Sequence, residues 1–291
     1  MIDLTILGRS AGYPEPGGAC SCYLVRGPGA VLVLDFGPGA LSRLGLYQSP
    51  DSVDAILLSH MHEDHILDLV PLTRALSRLG ALNPEGPSVK LIVPPGGNST
   101  LRALGFAFAR PQAHLQGAGE SNLKIMSVDL FSDFFDLAEY DPDHPLRFGG
   151  LEVQVVPMRH VGSAFEPLDT RSNAYGFRIT DGESVLAYTG DTGDNPGLET
   201  LARDADVLLC EAFLRSDDPG TTGPHDHLTA SQTGQIAARN GVGKLLLTHF
   251  LHPPHDAAGD YHYADLAEIA SKEFDGTVEA VEVGSTYKIG V

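Results

Sequence analysis

Four potential metal ligands lie within six consecutive positions of the sequence, His60-Met-His62-Glu-Asp64-His65. They follow directly on Ala55–Leu58, an apolar run typical of a buried strand. On an extended segment, His60 and His62 are two residues apart and can point the same way, toward one metal ion. Asp64 and His65 fall on the turn into the next predicted helix, displaced enough to bind a neighbouring ion. Four potential ligands at the end of a strand disfavour the alternative of a polar loop with chance histidines.

Three further residues of ligand type each come soon after a β-type run: His160 after Leu151–Val156, Asp191 after Val185–Tyr188 and His249 after Leu245–Thr248. Gly190 and Gly193 stand close to Asp191 and would let the backbone approach a bound ligand closely. A lone histidine at such a place is more often structural. Three such residues, in addition to segment 60–65, favour a metal site to which distant parts of the chain contribute.

These residues are separated by two series of short β-type runs with helices between them. In the first series, the apolar spacing predicts helices over 66–79 and 98–107 and strands over 2–7, 23–25, 31–35, 55–58 and 91–93. In the second, it predicts helices over 198–203, 229–240 and 263–274 and strands over 151–156, 174–179, 185–188, 207–210, 245–248 and 278–283. The intervening stretch 111–150 is less regular. Two similar halves, about 1–125 and 150–291, predict two packed sheets between outer helical layers, in a single α/β domain.

The order His60-x-His62-x-Asp64-His65, then His160, Asp191 and His249, resembles the ligand order of the metallo-β-lactamase superfamily. The resemblance covers nearly the whole chain. It implies a four-layer αββα sandwich of two mixed β-sheets flanked by helices. It also implies two divalent metal ions, zinc or alternatively manganese, that together activate a water molecule. In that arrangement Asp191 bridges the ions, and the remaining ligands divide into His60, His62 and His160 for one ion and Asp64, His65 and His249 for the other.

A second segment, Asp226-His227-Leu-Thr229-Ala230, narrows the substrate. It resembles the His-x-Thr-Ala segment of the tRNase Z branch and of related cyclic-nucleotide phosphodiesterases. In that branch Glu211 would pair with His227 and fix its tautomer, and the imidazole would stabilise charge at phosphorus or protonate the leaving oxygen. Asp64 would also orient the attacking water. The alternative interpretation makes Glu211 a surface or capping residue and His227 a helix-entry residue.

Size and charge bear on whether the substrate is RNA or a small molecule. Processing tRNases carry a Gly- and Pro-rich arm between the positions of His160 and Asp191, whereas only residues 161–190 lie between them here and two strands are predicted among these. The net charge is −19, with 38 Asp and Glu against 19 Lys and Arg, and such a surface repels an RNA backbone. Gly8-Arg-Ser-Ala-Gly12 and Asp68 resemble small bacterial hydrolases of the superfamily, some of which cleave cyclic nucleotides. We therefore expect a phosphodiesterase acting on a 3′,5′-cyclic nucleotide.

Three other interpretations stay open: a tRNase Z-like RNA 3′-processing endonuclease, a thiolesterase or lactonase of the same fold, and a non-enzymatic metal-binding module. A thiolesterase would leave the pair of Glu211 and His227 without a clear role, and the complete ligand set disfavours the module. The sequence assigns no role to His225, His252 or His255.

The cysteines Cys20, Cys22 and Cys210 are too few and too irregularly spaced for a disulfide framework, so we expect buried core residues. The sequence shows neither a secretory signal nor an apolar stretch long enough to span a membrane, which predicts a cytoplasmic protein without a membrane partner. The resemblance adds a homodimer as the expected oligomer.

Overall fold

Alternating apolar residues build a first seven-stranded sheet from the N-terminal part of the chain and its very end. The computed structural model describes residues 1–80, 89–108, 130–160, 173–214, 226–251 and 263–290. The strands of the first sheet are β1 (Ile2–Gly8), β3 (Cys22–Gly27), β4 (Ala30–Leu34), β5 (Ala55–Leu57), β6 (Val89–Val93), β7 (Phe135–Glu139) and β16 (Thr286–Ile289). Their order in the sheet is β16-β1-β3-β4-β5-β6-β7, antiparallel from β16 to β4 and parallel from β4 to β7.

A second seven-stranded sheet comes from the C-terminal part of the chain. Its strands are β8 (Leu146–Phe148), β9 (Leu151–Met158), β10 (Ala174–Thr180), β11 (Val185–Tyr188), β12 (Val207–Glu211), β13 (Lys244–Thr248) and β15 (Thr277–Ala280). Their order is β15-β13-β12-β11-β10-β9-β8, antiparallel from β8 to β11 and parallel from β11 to β15. A short parallel pair, β2 (Ser10–Ala11) and β14 (Phe250–Leu251), links the N-terminal segment to the C-terminal part of the chain.

The period of two along the strands divides the apolar side chains between two layers of core. On β3, Tyr23 and Val25 face the core that includes Phe177 of the second sheet, whereas Leu24 belongs to a separate cluster with Leu72. That separate cluster lies between the first sheet and its helices α1 (Ala40–Leu44), α3 (Leu69–Gly80) and α4 (Gly97–Phe108). Helices α5 (Gly197–Ala202), α6 (Ala230–Arg239) and α7 (Tyr263–Ser271) pack on the second sheet. The layers are therefore helix, sheet, sheet, helix, as predicted.

Most predicted elements are present, and the differences have local causes. The helix predicted over 66–79 is divided into α2 (Glu63–Ile66) and α3, because the N–H of Asp68 donates to the carbonyl of Phe36 rather than along the helix. The predicted strand 278–283 is shorter and lies at Thr277–Ala280, and the helix predicted over 263–274 ends at Ser271.

The short pair β2 and β14 was not predicted, and neither were three strands of the large sheets, β7, β8 and β16. Two of them fall in the stretch 111–150, which the sequence indicated was irregular. All three lie at sheet edges, where strands need fewer apolar residues.

One smaller prediction, the burial of the cysteines, is confirmed. Cys20, Cys22 and Cys210 are buried free thiols. Helix α6 begins with a capping box, in which Oγ1 of Thr229 accepts from the N–H of Gln232 at 3.2 Å and Oε1 of Gln232 accepts from the N–H of Thr229 at 2.9 Å. In the described ranges, no helix has both the length and the hydropathy that a bilayer crossing requires.

Candidate active site

The residues of ligand type meet at one edge of the two sheets. Strands β11, β12 and β13 run parallel, and β9 runs in the same direction because two antiparallel pairings separate it from β11. Their carboxyl ends therefore lie on the same side and are followed by His160, Asp191 and His249. The segment 60–65 follows the carboxyl end of β5 in the other sheet. Both sheets thus contribute to one cluster.

Four of these residues form a first group. Nε2 of His160 lies 3.1 Å from Nδ1 of His62 and 3.9 Å from Oδ2 of Asp191. Nε2 of His60 lies 3.7 Å from the same carboxylate oxygen. The ligand atoms of these four residues all lie within 4.8 Å of one another.

Asp64, His65 and His249 form a second group whose ligand atoms also lie within 4.8 Å of one another. Oδ2 of Asp64 lies 3.6 Å from Nε2 of His65 and 3.9 Å from Nε2 of His249. Asp191 reaches this group too, with Oδ1 at 3.3 Å from His65 and Oδ2 at 3.1 Å from His249. Its carboxylate therefore faces both groups.

The cluster has the properties of a metal-binding site. Nε2 of His60, Nε2 of His65 and Oδ1 of Asp191 are buried without a hydrogen-bond partner among the residues that the structure describes. Such orphaned atoms are costly unless something binds them. Zinc with tetrahedral ligands at about 2.0–2.1 Å would require ligand atoms roughly 3.3–3.4 Å apart, close to the separations observed here. The residues present therefore fit the divalent ions that the sequence predicts.

Hydrogen bonds at Nδ1 fix the imidazoles of His60, His160 and His249 so that Nε2 of each faces the cluster. The carbonyl of Asp226 can only accept, so His160 carries its proton on Nδ1 at 2.8 Å from that oxygen. The hydroxyl of Ser59 donates to a carboxylate at 2.8 Å and therefore accepts from Nδ1 of His60 at 3.0 Å. Nδ1 of His249 lies 3.0 Å from the hydroxyl of Ser21. Such outer partners set the tautomer and raise the basicity of a metal ligand.

Asp35 is a functional residue that the sequence reasoning missed. It follows β4, is fully buried, and accepts hydrogen bonds from Nδ1 of His65 at 2.8 Å and from the hydroxyl of Tyr188 at 2.6 Å. Ser59 donates to the same carboxylate through its N–H at 2.7 Å and through its hydroxyl. The available signal was its position, an acidic residue at the end of a strand like the ligands themselves.

Two residues of the site have left-handed backbone conformations, with φ of 56° at Asp35 and 55° at His249. Residues other than glycine adopt such angles at a cost of the order of 1 kcal/mol or more, and they persist where surrounding contacts fix them. Gly37 lies so close to the segment carrying Asp64 that an added Cβ would be 1.9 Å from the carbonyl oxygen of Asp64. The turn carrying Asp64 is therefore packed directly against the end of β4.

The ionisation of the cluster makes it attractive to cations. Burial favours the neutral form of Asp191, but His249 and His65 outweigh it and hold the pKa of this carboxyl well below its usual range. Burial opposes protonation of His65, yet its pKa is raised well above the ordinary value. The cause is the three surrounding carboxylates of Asp191, Asp64 and Asp35. This concentration of buried negative charge would be neutralised by bound cations.

Glu211 and His227 form a pair beside the cluster. Nδ1 of His227 donates to the fully buried carboxylate of Glu211, at 2.9 Å from Oε1 and 3.2 Å from Oε2. The imidazole ring lies 4.9 Å from that of His160 and 5.8 Å from that of His249, between ring centroids. Burial lowers the pKa of His227, but the attraction of Glu211 outweighs it and raises the pKa to about 9.

Glu211 is neither a surface nor a helix-capping residue. It is the last residue of β12, and its carboxylate also accepts the backbone N–H of Thr192 at 2.7 Å and that of Leu228 at 3.3 Å. All nine residues predicted for the site are thus brought together at this edge. His225, His252 and His255, which received no role, lie outside the described residues.

Comparison with known proteins agrees with this geometry. The sequence profile described as a beta-lactamase superfamily domain matches residues 32–250. The chain is 35% identical over 291 residues to the protein ML1173 of Mycobacterium leprae, covering 99% of this chain and 89% of that protein. It is 30% identical over 291 residues to ribonuclease Z of Mycobacterium marinum, covering 96% and 95%. The crystal structure of the metallo-beta-lactamase fold protein YhfI from Bacillus subtilis has a TM-score of 0.75 and 25% identity, covering 98% of both chains.

The chain therefore belongs to the β-lactamase superfamily and has the metallo-β-lactamase fold. Within that superfamily it is a metal-dependent hydrolase. The predicted fold class and family are confirmed.

Proposed function

We propose that the protein is a dinuclear metal-dependent phosphodiesterase that hydrolyses a small phosphodiester, with a 3′,5′-cyclic nucleotide as the substrate that fits best. The observation that carries this proposal is the pair of Glu211 and His227 at the edge of the ligand cluster. Cleavage of a ribose ester expels an alkoxide, which needs a proton as it leaves. A thiolate leaves without that help, because a thiol is far more acidic. The pair therefore favours a phosphodiester over a thioester.

The ligand cluster would supply the rest of the site. We assign His60, His62 and His160 to one ion and Asp64, His65 and His249 to the other, with Asp191 between them. Bound divalent ions would lower the pKa of a water molecule toward neutrality and offset negative charge on the phosphate. The predominance of imidazole ligands favours zinc, with manganese as the alternative.

The protein's own side chains then position and move protons. Because Nδ1 of His227 donates to Glu211, Nε2 is the nitrogen left to donate to the departing oxygen. The Glu211 carboxylate stabilises the imidazolium from which that proton comes. Asp64 accepts the backbone N–H of Gly12 at 2.7 Å, which fixes its carboxylate to orient the attacking water.

The size and charge of the chain support a small substrate. Of residues 161–190, which separate His160 from Asp191, eleven already belong to β10 and β11, seven in the first and four in the second. This leaves little chain for a tRNA-binding arm. The net charge of −19 also disfavours a polyanion. The similarity to ribonuclease Z of Mycobacterium marinum favours RNA instead, so 3′ processing of RNA is the second candidate.

A substrate panel tests the proposal. The protein, loaded with zinc or with manganese, is assayed on 3′,5′-cyclic AMP, bis(p-nitrophenyl) phosphate, a precursor tRNA with a 3′ trailer and a glutathione thioester. We expect metal-dependent turnover of both small phosphodiesters. Cleavage of the precursor tRNA with inert cyclic AMP would establish the second candidate. Turnover of the thioester alone would overturn both.

A further inference from the structure

Phe213 lies against the pair of Glu211 and His227, although no sequence pattern indicated a role for it. It comes two residues after Glu211, just beyond the end of β12, and is half-buried. Its ring is stacked on the imidazole of His227, with 4.2 Å between centroids and 18° between the planes. Its backbone N–H donates to Oε2 of Glu211 at 3.3 Å. Phe213 therefore contacts both members of the pair, one through its ring and the other through its backbone.

The stacking supplies a restraint that Glu211 alone does not. Both oxygens of Glu211 engage the same nitrogen, Nδ1 of His227, and thereby fix the position of one ring atom. The ring can still tilt about the line from that atom to the carboxylate, and such a tilt moves Nε2. A phenyl face at stacking distance opposes the tilt, because it leaves no space on that side and the contact itself is favourable.

The two other rings described beside His227 do not substitute for this contact. The ring of His160 meets His227 edge-on, at 62°, and the ring of His249 is parallel but 5.8 Å away. Both of these imidazoles belong to the ligand cluster and have their orientation set by it. Among the residues that the structure describes, Phe213 is thus the aromatic neighbour outside the cluster that is placed to define the plane of the His227 ring.

We propose that Phe213 is a positioning residue, which holds the His227 imidazole in the plane from which Nε2 reaches the departing oxygen. The proposal rests on the proposed phosphodiesterase function. Misplacement of a catalytic group by about 1 Å can cost on the order of a hundredfold in rate, so a partial loss of the restraint has a measurable effect. The effect is greatest for a substrate whose leaving group needs a proton.

Kinetics of Phe213→Leu and Phe213→Tyr test this role. Leucine preserves apolar volume without a flat face, and tyrosine preserves the face. Phe134→Leu is the matched control, because Phe134 is also half-buried but packs against the separate apolar cluster of the first sheet. For Phe213→Leu we expect kcat on cyclic AMP to fall about tenfold or more while KM changes less than about twofold. On bis(p-nitrophenyl) phosphate, whose leaving group is acidic, we expect a loss of less than about threefold. Phe213→Tyr and Phe134→Leu should retain wild-type kcat on both substrates.

Proton NMR of the metal-free protein gives a readout independent of turnover. A ring proton of His227 facing the phenyl of Phe213 is shifted upfield by its ring current, and His227→Ala identifies the signal by its disappearance. We expect Phe213→Leu to abolish the shift, and Phe213→Tyr and Phe134→Leu to preserve it. An unchanged His227 signal in Phe213→Leu, or equal kcat losses on the two substrates, would overturn the positioning role. If the wild-type protein hydrolyses neither diester, the proposed function fails, and the NMR experiment still decides on the stacking restraint.

Discussion

The carboxylate of Asp35 accepts the Nδ1–H of His65 at 2.8 Å and thereby determines which nitrogen of that imidazole faces the ligand cluster. The same carboxylate accepts hydrogen bonds from Ser59 and Tyr188. Asp35 thus connects the end of β4 to the segment after β5 and to the second sheet. Its role is to orient His65 rather than to bind an ion, because its hydrogen-bonded neighbours already occupy both oxygens.

Asp35→Asn should weaken metal binding without removing a ligand. The amide has only one accepting oxygen, so it cannot satisfy the four donors that the carboxylate accepts. Loss of an outer partner of a metal ligand typically costs about 10–100-fold in affinity, and we expect a loss in this range at the ion near His65. Competition with a chromophoric chelator measures the metal affinity.

Asp54→Asn is the control, since Asp54 accepts the backbone N–H of Val31 at an exposed position away from the site. Equal affinities for wild type and Asp35→Asn would contradict this role.

His62→Ala should abolish both metal binding and hydrolysis. Nδ1 of His62 lies 3.1 Å from Nε2 of His160, so its removal takes away one of three imidazoles from the first group. Metal content after gel filtration is the direct measurement. Added zinc should also raise the melting temperature of the wild type, because a ligand that binds the folded state stabilises it, and that shift should disappear in the variant. His144→Ala, which changes an exposed histidine, should behave as wild type.

His227→Ala should retain its metal but lose activity. A general acid typically contributes about 10²–10⁴-fold, so we expect kcat on cyclic AMP to fall by about a hundredfold or more. Glu211→Gln should lose activity in the same direction, because a neutral amide no longer stabilises the imidazolium. The control is Glu199→Gln, at a half-exposed carboxylate paired with Arg239. Full activity of His227→Ala on every phosphodiester tested would remove it from the mechanism.

Tyr23→Phe should destabilise the packing of one sheet on the other. The fully buried hydroxyl of Tyr23, on β3, is hydrogen-bonded to Oγ1 of Thr248, on β13, at 2.8 Å. Its loss leaves a buried hydroxyl without this partner, which costs about 1–3 kcal/mol. Urea unfolding measures the free energy. Thr248→Val and the double variant complete a cycle, and strictly additive effects of the two substitutions would show that the hydrogen bond contributes nothing.

The parts of the site that the sequence predicted share one local signature, a chemically active residue just after an apolar run. His60, His160 and His249 all follow this rule, and it can be recognised because both the strand and the ligand are local in sequence. The residues that orient them are recognisable only in three dimensions. Ser21 is 228 positions from His249, and nothing in its own neighbourhood indicates that partner. Phe213 was likewise missed because a stacking contact has no sequence motif.

The fold shows the same division between local and distant information. Strands with consecutive buried residues, such as β12, were predicted because their apolar runs are unmistakable. Strand β16 has one buried residue in four, and its pairing with β1 joins the two ends of the described chain. Such an edge pairing depends on the geometry of the completed sheet, so it cannot be predicted from the residues of β16 alone.

The ligand cluster combines residues from two separate sheets, so its geometry depends on how those sheets pack against each other. Slight slippage at the interface would pull Asp191 and His249 away from segment 60–65 while every strand kept its own backbone pairing. A stressed molecule should then release its bound metal to a chelator at a temperature where its far-ultraviolet circular dichroism is still native. Loss of the metal would therefore report a partial separation of the two sheets before any change in helix or strand content can be measured.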